Sequence, residues 1–271
     1  MSKIKYEVID KLKGVLIVSC QADRGEPLCK PEIIAALSLS VISGGASALR
    51  LEGVENVCAV RAVSDVPIIG LTKIHDITYE ERMNCAFITS TFDEAHALAD
   101  AGADIIAIDA TGRPRRDGLS VAETVRRIHD ELGKPVMADL ATFEEAVAAN
   151  EAGVDILSTT LFGYTAETLA GDEVGPGFDM LQKIVDAKLG APVIMEGRVW
   201  NTDEVTKAFE LGAHAVVVGS AITRPHHITR RFVRAIPANV SKSSKSAAKV
   251  IDSNARGSDS NARTSESSSQ K

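Results

Sequence analysis

Two segments decide how this chain is read: Ala191-Pro192-Val193-Ile194-Met195-Glu196-Gly197-Arg198 and, after one amphipathic stretch, Ala215-Val216-Val217-Val218-Gly219-Ser220-Ala221-Ile222-Thr223-Arg224-Pro225. Each opens with a short apolar run and ends in glycine beside polar side chains. Apolar runs that are continuous rather than alternating signal strands buried on both faces, as in a parallel sheet covered by helices. The amphipathic stretch, residues 202–211, carries Asp203 and Glu204 in its first turn, where acids favour the positive end of a helix. Strand, helix and strand thus form one unit, and its polar residues collect at the C-terminal ends of the strands. Parallel α/β proteins gather their sites at that edge. Glycines let backbone N–H groups approach an anion and arginines add forked donors, so the two ends read as a phosphate cradle.

The same unit recurs along the chain. Apolar runs fall at residues 15–20, 48–51, 67–71, 104–108, 136–138, 155–158, 193–195 and 215–218. Glycine corners lead into four of them, at Ser43-Gly44-Gly45-Ala46, Ala101-Gly102-Ala103-Asp104, Ala152-Gly153-Val154-Asp155 and Leu211-Gly212-Ala213-His214. Proline opens three others, at Pro67, Pro135 and Pro192, where a first strand residue need not donate to the ladder. A further patch, Ala86-Phe87-Ile88, reads as a minor extra strand before a helix at residues 92–100, and residues 121–132 read as another helix. Eight strands alternating with helices and closing on themselves make an α/β TIM barrel, (β/α)8, with its site at the strand C-termini. An open doubly wound sheet is the alternative, weakened because no G-x-G-x-x-G follows an early strand.

Composition bounds the rest. With 271 residues, 45% apolar and 25% charged, the chain has material for one large core, expected over residues 1–237. Residues 238–271 turn to Ser, Lys, Asn and Ala, with Asp252-Ser253-Asn254-Ala255-Arg256 repeated as Asp259-Ser260-Asn261-Ala262-Arg263; this tail reads as disordered and dispensable for chemistry. The opening Met1-Ser2-Lys3-Ile4-Lys5 holds no apolar signal run, and no apolar stretch is long enough to cross a bilayer, so a cytoplasmic protein with no membrane partner is expected. A net charge of −7 argues against a nucleic-acid partner. The four cysteines show no metal-like spacing, and Cys20 reads as a small buried hydrophobe rather than a reactive thiol.

The polar residues at the strand ends are Gln21, Arg50, Lys73, Asp109, Asp139, Thr159, Thr160, Glu196, Gly219 and Ser220. Lys73 is either a surface lysine or, half-buried beside an apolar strand, a base near neutral pH. Glu196 faces the same choice, tilted toward function by Gly197-Arg198. Asp139 either orients a ligand hydroxyl or caps the helix that begins near Thr142. Asp109 either joins the site or holds the loop Arg113-Pro114-Arg115-Arg116. None of the six histidines falls directly at a strand end, so no metal is expected.

The segments Ala138-Asp139-Leu140-Ala141-Thr142-Phe143-Glu144-Glu145, Thr159-Thr160-Leu161-Phe162-Gly163-Tyr164-Thr165, Met195-Glu196-Gly197-Arg198 and Val218-Gly219-Ser220-Ala221-Ile222-Thr223-Arg224-Pro225 together resemble the N-acetylmannosamine-6-phosphate 2-epimerase family. Leu16-Ile17-Val18-Ser19-Cys20-Gln21-Ala22 and Asp109-Ala110-Thr111 fit too, so the resemblance spans roughly residues 14 to 235. It implies a TIM barrel that interconverts N-acetylmannosamine 6-phosphate and N-acetylglucosamine 6-phosphate without metal or other cofactor. By the same resemblance Lys73 is the acid/base lysine and Glu196 its partner. Gln21, Arg50 and Asp139 contact the sugar and its acetamido group, and Gly163, Gly197, Gly219, Ser220 and Arg224 lie around the phosphate; the strand-end reading adds Thr160 to the sugar residues and Arg198 to the phosphate residues. The implied partner is a small sugar phosphate, and a homodimer stays open. Two departures border the sugar site: Ile74-His75-Asp76 after the lysine, and Leu51-Glu52-Gly53 after Arg50. Two other classes remain as alternatives: a phosphate-binding lyase or synthase acting on an indole or thiazole phosphate, and a non-enzymatic sugar-phosphate sensor. A sensor needs neither Lys73 nor Glu196.

Overall fold

The apolar runs become eight strands in a computed structural model that describes residues 6–171 and 174–237. They are β1 (Leu16–Cys20), β2 (Ala48–Glu52), β3 (Ile68–Leu71), β4 (Ile105–Asp109), β5 (Val136–Asp139), β6 (Ile156–Ser158), β7 (Val193–Glu196) and β8 (Ala215–Val218). Every strand pairs in parallel with the next, and β8 returns to β1 with Val216 beside Leu16, closing the barrel. An open doubly wound sheet is therefore excluded. The helices are α1 (Glu7–Lys11), α2 (Pro31–Ser43), α3 (Val54–Arg61), α4 (Tyr79–Asn84), α5 (Phe92–Asp100), α6 (Val121–Arg127), α7 (Phe143–Glu151), α8 (Phe178–Ala187), α9 (Thr202–Glu210), α10 (Ser220–Thr223) and α11 (Pro225–Arg234). The barrel unit ends at Pro225, and a second unit begins at His226 with the body of α11. The Ser-rich tail expected at 238–271 lies outside the described residues. No helix among those described is long and apolar enough to cross a membrane.

Successive strand residues point to opposite faces of a sheet, and here the two faces feed two separate cores. Val18, Leu49, Ile106, Val136, Leu157, Met195 and Val216 face outward and pack with Ile34, Val57, Leu98 and Leu181 of the surrounding helices. Ile17, Ala48, Ile69, Ile105, Met137, Ile156, Ile194 and Ala215 face inward and plug the barrel. The inward series then turns polar toward the C-terminal ends: Ser19, Arg50, Asp109, Asp139, Ser158 and Glu196 each lie two residues beyond an apolar inward residue. An apolar plug thus carries a polar layer on top. This parity moves the strand ends. Asp109, Asp139 and Glu196 are the last residues of their strands rather than the first beyond them, and Arg50 lies inside β2. At Gly70, on the outward face of β3, an added Cβ would sit 2.8 Å from Ala103 Cβ, so the α5–β4 corner packs there only against glycine.

The helices start where side chains satisfy their free N–H groups. Thr91, Thr142 and Asn201 each accept a bond from the residue three positions on, whose glutamate returns one to the cap backbone. Thr142, not Asp139, therefore caps α7. Two expectations change. Residues 86–88 form only a single antiparallel bridge, Lys73 to Ile88, rather than a strand. The helix expected over 121–132 divides into α6 and a π-helical turn, Ile128–Leu132, that ends at left-handed Gly133.

At the opposite, N-terminal end of the barrel, the residues after the glycine corners act as staples. Asp104 Oδ2 accepts the Ile68 N–H at 2.9 Å and an Arg61 N–H at 2.6 Å. Asp155 repeats this with the Val136 N–H at 2.8 Å, and its Oδ2 lies 2.7 Å from His129 Nε2 in the π-helical turn. Asp155→Ala leaves the buried Val136 N–H without its carboxylate acceptor, a loss of about 2 kcal/mol on the usual scale for such groups. Urea unfolding of the variant is expected to show that loss; an unchanged midpoint would mean the staple contributes nothing.

Candidate active site

A cavity of about 240 Å³ opens at the C-terminal mouth of the barrel. Gln21, Lys73, Thr160, Glu196, Gly197, Arg198, Gly219, Ser220 and Arg224 all line it, so β1, β3, β6, β7 and β8 contribute together. Arg50 and Asp139 do not reach it. They are 1% and 0% exposed, one layer below, because both point inward from within their strands. Gly163 lies behind Arg198: a Cβ there would meet Arg198 Nε at 2.7 Å.

That lower layer fixes Glu196. Arg50 grips Asp139 with two parallel bonds, Nη1 to Oδ1 at 3.1 Å and Nη2 to Oδ2 at 2.6 Å, and Nη1 also lies 3.1 Å from Glu196 Oε2. Burial works against the guanidinium charge, but the two carboxylates overcome it and hold the Arg50 proton more tightly than usual. Glu196 shifts the other way. Burial and the charge of Asp139 outweigh Arg50 and push its carboxyl up to about 7. Thr160 Oγ1 lies 2.7 Å from Asp139 Oδ1, 2.8 Å from Ser158 Oγ and 3.0 Å from Glu196 Oε2. One hydroxyl proton cannot serve two carboxylates. With Thr160 donating to Asp139 at the shorter distance and accepting from Ser158, its contact with Glu196 becomes attractive when Glu196 itself carries a proton.

Lys73 continues the inward series of β3 after Ile69 and Leu71. Its Nζ donates to Gln21 Oε1 at 2.7 Å, and Gln21 Nε2 donates onward to Ser19 Oγ at 2.8 Å. Burial lowers the proton affinity of the amine below that of an ordinary lysine; Glu52 and Asp23 resist this, while Arg50 and Arg82 assist it. Glu52 is in turn tied to His75 at 2.9 Å, so the two departures noted in the sequence meet each other. Behind Lys73, buried Thr89 holds a left-handed φ of 43°, uncommon for a β-branched residue. Two bonds with the Thr72 backbone and one from Arg115 to the Thr89 carbonyl enforce it.

Arg198, itself at φ 62°, donates to the carbonyls of Gly163, Ala170, Gly171 and Val174 between 2.7 and 3.1 Å. Its fork therefore ties down the loop after β6. Arg224 Nη2 donates to Asp23 and Glu26, both at 2.6 Å. Gly197 adopts φ +97°, and a Cβ there would press on the Thr160 carbonyl at 3.3 Å. Sequence inspection missed Ser19 and Ser158, which the two-residue parity identifies, and Asp23 and Glu26, which no local pattern connects to Arg224.

Asp109 holds its loop, accepting from Arg113 at 2.8 Å and from Thr111 at 2.7 Å. Burial pushes the Cys20 thiol up to about 11, so it stays protonated near neutral pH, as a small hydrophobe does. Among the described residues no three His, Cys, Asp or Glu side chains group to hold a metal ion.

The profile of a family described as "Putative N-acetylmannosamine-6-phosphate epimerase" matches residues 34–238. A Caldanaerobacter subterraneus subsp. tengcongensis protein named "Putative N-acetylmannosamine-6-phosphate 2-epimerase" is 43% identical over 231 residues, 85% of this chain and 94% of that protein. A protein of the same name from Cutibacterium acnes is 42% identical over 233 residues, 86% of this chain and 98% of its own length. The solved N-acetylmannosamine-6-phosphate 2-epimerase of Clostridium perfringens is 37% identical with a TM-score of 0.78, covering 87% of this chain and 99% of that one. A thiamine phosphate pyrophosphorylase from Pyrococcus furiosus, at 18% identity and a TM-score of 0.53, shares the fold alone. Matched over most of its length by profile, relatives and structure alike, the chain belongs to the N-acetylmannosamine-6-phosphate epimerase family.

Proposed function

We propose that this protein is an isomerase that interconverts N-acetylmannosamine 6-phosphate and N-acetylglucosamine 6-phosphate, a step of amino-sugar and sialic acid catabolism, by moving the proton at C2. The observation that carries this reading is the pair Lys73 and Glu196. They line one cavity from β3 and β7, which lie four strands apart either way around an eight-stranded barrel. Their proton affinities shift toward each other, the lysine down and the carboxyl up to about 7. An amine with lowered proton affinity facing a carboxyl that can hold a proton near pH 7 is what proton transfer beside a carbonyl requires.

In the open-chain sugar C2 lies next to the C1 carbonyl. The Lys73 amine takes the C2 proton, the C–H electron pair moves into the C1–C2 bond, and the C1 oxygen that gains charge receives the proton of Glu196. Collapse of this planar enol returns its O–H proton to the Glu196 carboxylate while C2 takes a proton from water on the face opposite Lys73, and the Lys73 ammonium gives its proton up to solvent, which leaves the epimer and both side chains as they began. Gln21 sets the position of the amine through its 2.7 Å bond. Thr160 faces the sugar beside Glu196, whereas Arg50 and Asp139 act from below by holding Glu196 in place. Gly197, Gly219 and Ser220 form the phosphate end together with Arg224, and Gly163 and Arg198 shape its wall. The lyase or synthase alternative gains only the shared fold of the thiamine phosphate pyrophosphorylase.

The direct test is incubation of the purified protein with N-acetylmannosamine 6-phosphate and with the unphosphorylated sugar. Formation of N-acetylglucosamine 6-phosphate is expected, with the unphosphorylated sugar reacting far more slowly. Equal turnover of the two sugars would sink the phosphate assignment, and no turnover of either would sink the epimerase reading.

The shift of Glu196 gives a second expectation with two readouts. Its acid form disappears above pH 7, so kcat/KM is expected to fall there. Glu196→Gln is expected to lose about 10²-fold in kcat and to abolish that alkaline limb. Stability has the matching sign: a carboxyl whose folded value is raised contributes most below its unfolded value, near 4.5, and loses that contribution as pH rises through 7. Between pH 4 and pH 8 the wild type is therefore expected to lose on the order of 3 kcal/mol relative to Glu196→Gln, at 1.36 kcal/mol per unit. Parallel melting curves of the two proteins across that range would contradict the buried, protonated Glu196.

A further inference from the structure

Arginines cluster at and beneath the mouth, and most are engaged. Asp139 and Glu196 hold Arg50, loop carbonyls hold Arg198, and Asp23 with Glu26 hold Arg224. Arg82 differs. It lines the same cavity from α4, yet among the described residues its guanidinium has no hydrogen bond or ion pair. It is nonetheless placed. Its guanidinium carbon lies 4.3 Å from the centre of the buried Phe87 ring, a cation–π contact, and Arg113 approaches that ring at 5.4 Å. Arg113 also anchors the backbone, donating to the Arg82 carbonyl at 3.0 Å while its other nitrogen holds buried Asp109 at 2.8 Å. Phe87 adjoins Ile88, the bridge partner of Lys73, so the free fork stands on the lysine side of the cavity, away from Glu196 on β7.

We propose that Arg82 is a further substrate-contacting residue, presenting its guanidinium to the sugar oxygens that flank C2 on the Lys73 side. A planar fork seated on an aromatic ring with its donors unused can bind such oxygens at little cost in ordering. Its positive charge also works on the lysine itself. Lys73 is faced by Glu52 of β2 and Asp23 of the loop after β1, which favour the ammonium, and by Arg50 and Arg82, which favour the amine; His75 sits against Glu52. Arg50 is locked in its carboxylate pair, so Arg82 is the accessible cation on that side. The inference rests on the epimerase reading and concerns the sugar, not the phosphate.

Arg82→Met keeps an apolar chain on Phe87 and removes the charge, and Arg82→Lys restores the charge without the fork. With N-acetylmannosamine 6-phosphate, Arg82→Met is expected to lose at least tenfold in kcat, and the acidic limb of its kcat/KM profile should move to higher pH as Lys73 regains its proton. Arg82→Lys should return the limb toward its wild-type position while kcat stays low. Calorimetric binding of the same sugar phosphate, which needs no turnover, should weaken at least fivefold in Arg82→Met. Wild-type turnover judges the epimerase reading separately. A kcat within twofold of wild type with an unmoved limb would overturn the inference, as would unchanged calorimetric affinity or a rise confined to KM.

Discussion

The site depends on one buried ion pair. Arg50 and Asp139 face each other inside the barrel with almost no contact with water, joined by two parallel bonds. Removing one partner of such a pair leaves an uncompensated charge, typically costing about 3–5 kcal/mol. What rests on the pair is less its own energy than the geometry above it. Arg50 reaches up to Glu196, and Asp139 accepts from Thr160, so the floor of the cavity is fixed by groups that do not line it. The apolar plug beneath supplies the low-polarity surroundings that make the arrangement rigid and electrostatically strong.

The same floor resolves a tension in the chemistry. A lysine acts as a base near neutral pH only if its proton affinity falls well below the free value of about 10.4, and an ionised glutamate close by would oppose that fall. Here the carboxyl is drawn into the Arg50–Asp139 layer, where burial and the neighbouring carboxylate raise it to about 7. Lys73 makes its bond to the neutral amide of Gln21 instead. Among the described residues the two groups share a cavity without forming an ion pair, and burial shifts each toward its uncharged form. The strained backbone at Thr89, bonded twice to Thr72, sits directly behind the lysine and holds the end of β3 in one conformation.

Much of this was legible in the sequence. Val193-Ile194-Met195 and Ala215-Val216-Val217-Val218 announced buried parallel strands because both faces of a barrel strand are covered. Gln21, Lys73, Thr160 and Glu196 line the mouth cavity because a polar residue at the end of such a run has few places to go except the mouth. Arg50 was misplaced for an instructive reason: in Ala48-Leu49-Arg50-Leu51 the alternation points it inward with Ala48, which marks the barrel interior rather than the rim. Arg198 reads as an anion fork in the sequence, while its bonds to the carbonyls of Gly163, Ala170, Gly171 and Val174 become visible only in the fold. The contacts of Arg224 with Asp23 and Glu26 join the two ends of the barrel's sequence, about two hundred positions apart, and nothing local announces them. Arg82 went unnoticed because α4 buries none of its residues and so leaves no apolar signature.

The most direct measurement follows the C2 proton of N-acetylmannosamine 6-phosphate by NMR in heavy water, comparing wild type with a Lys73→Ala protein whose melting behaviour is intact. The wild type is expected to replace that proton with deuterium as it turns over, and the variant to leave it in place. Exchange by Lys73→Ala at close to the wild-type rate would contradict the account, removing the lysine from the proton transfer and leaving Glu196 to act as the base.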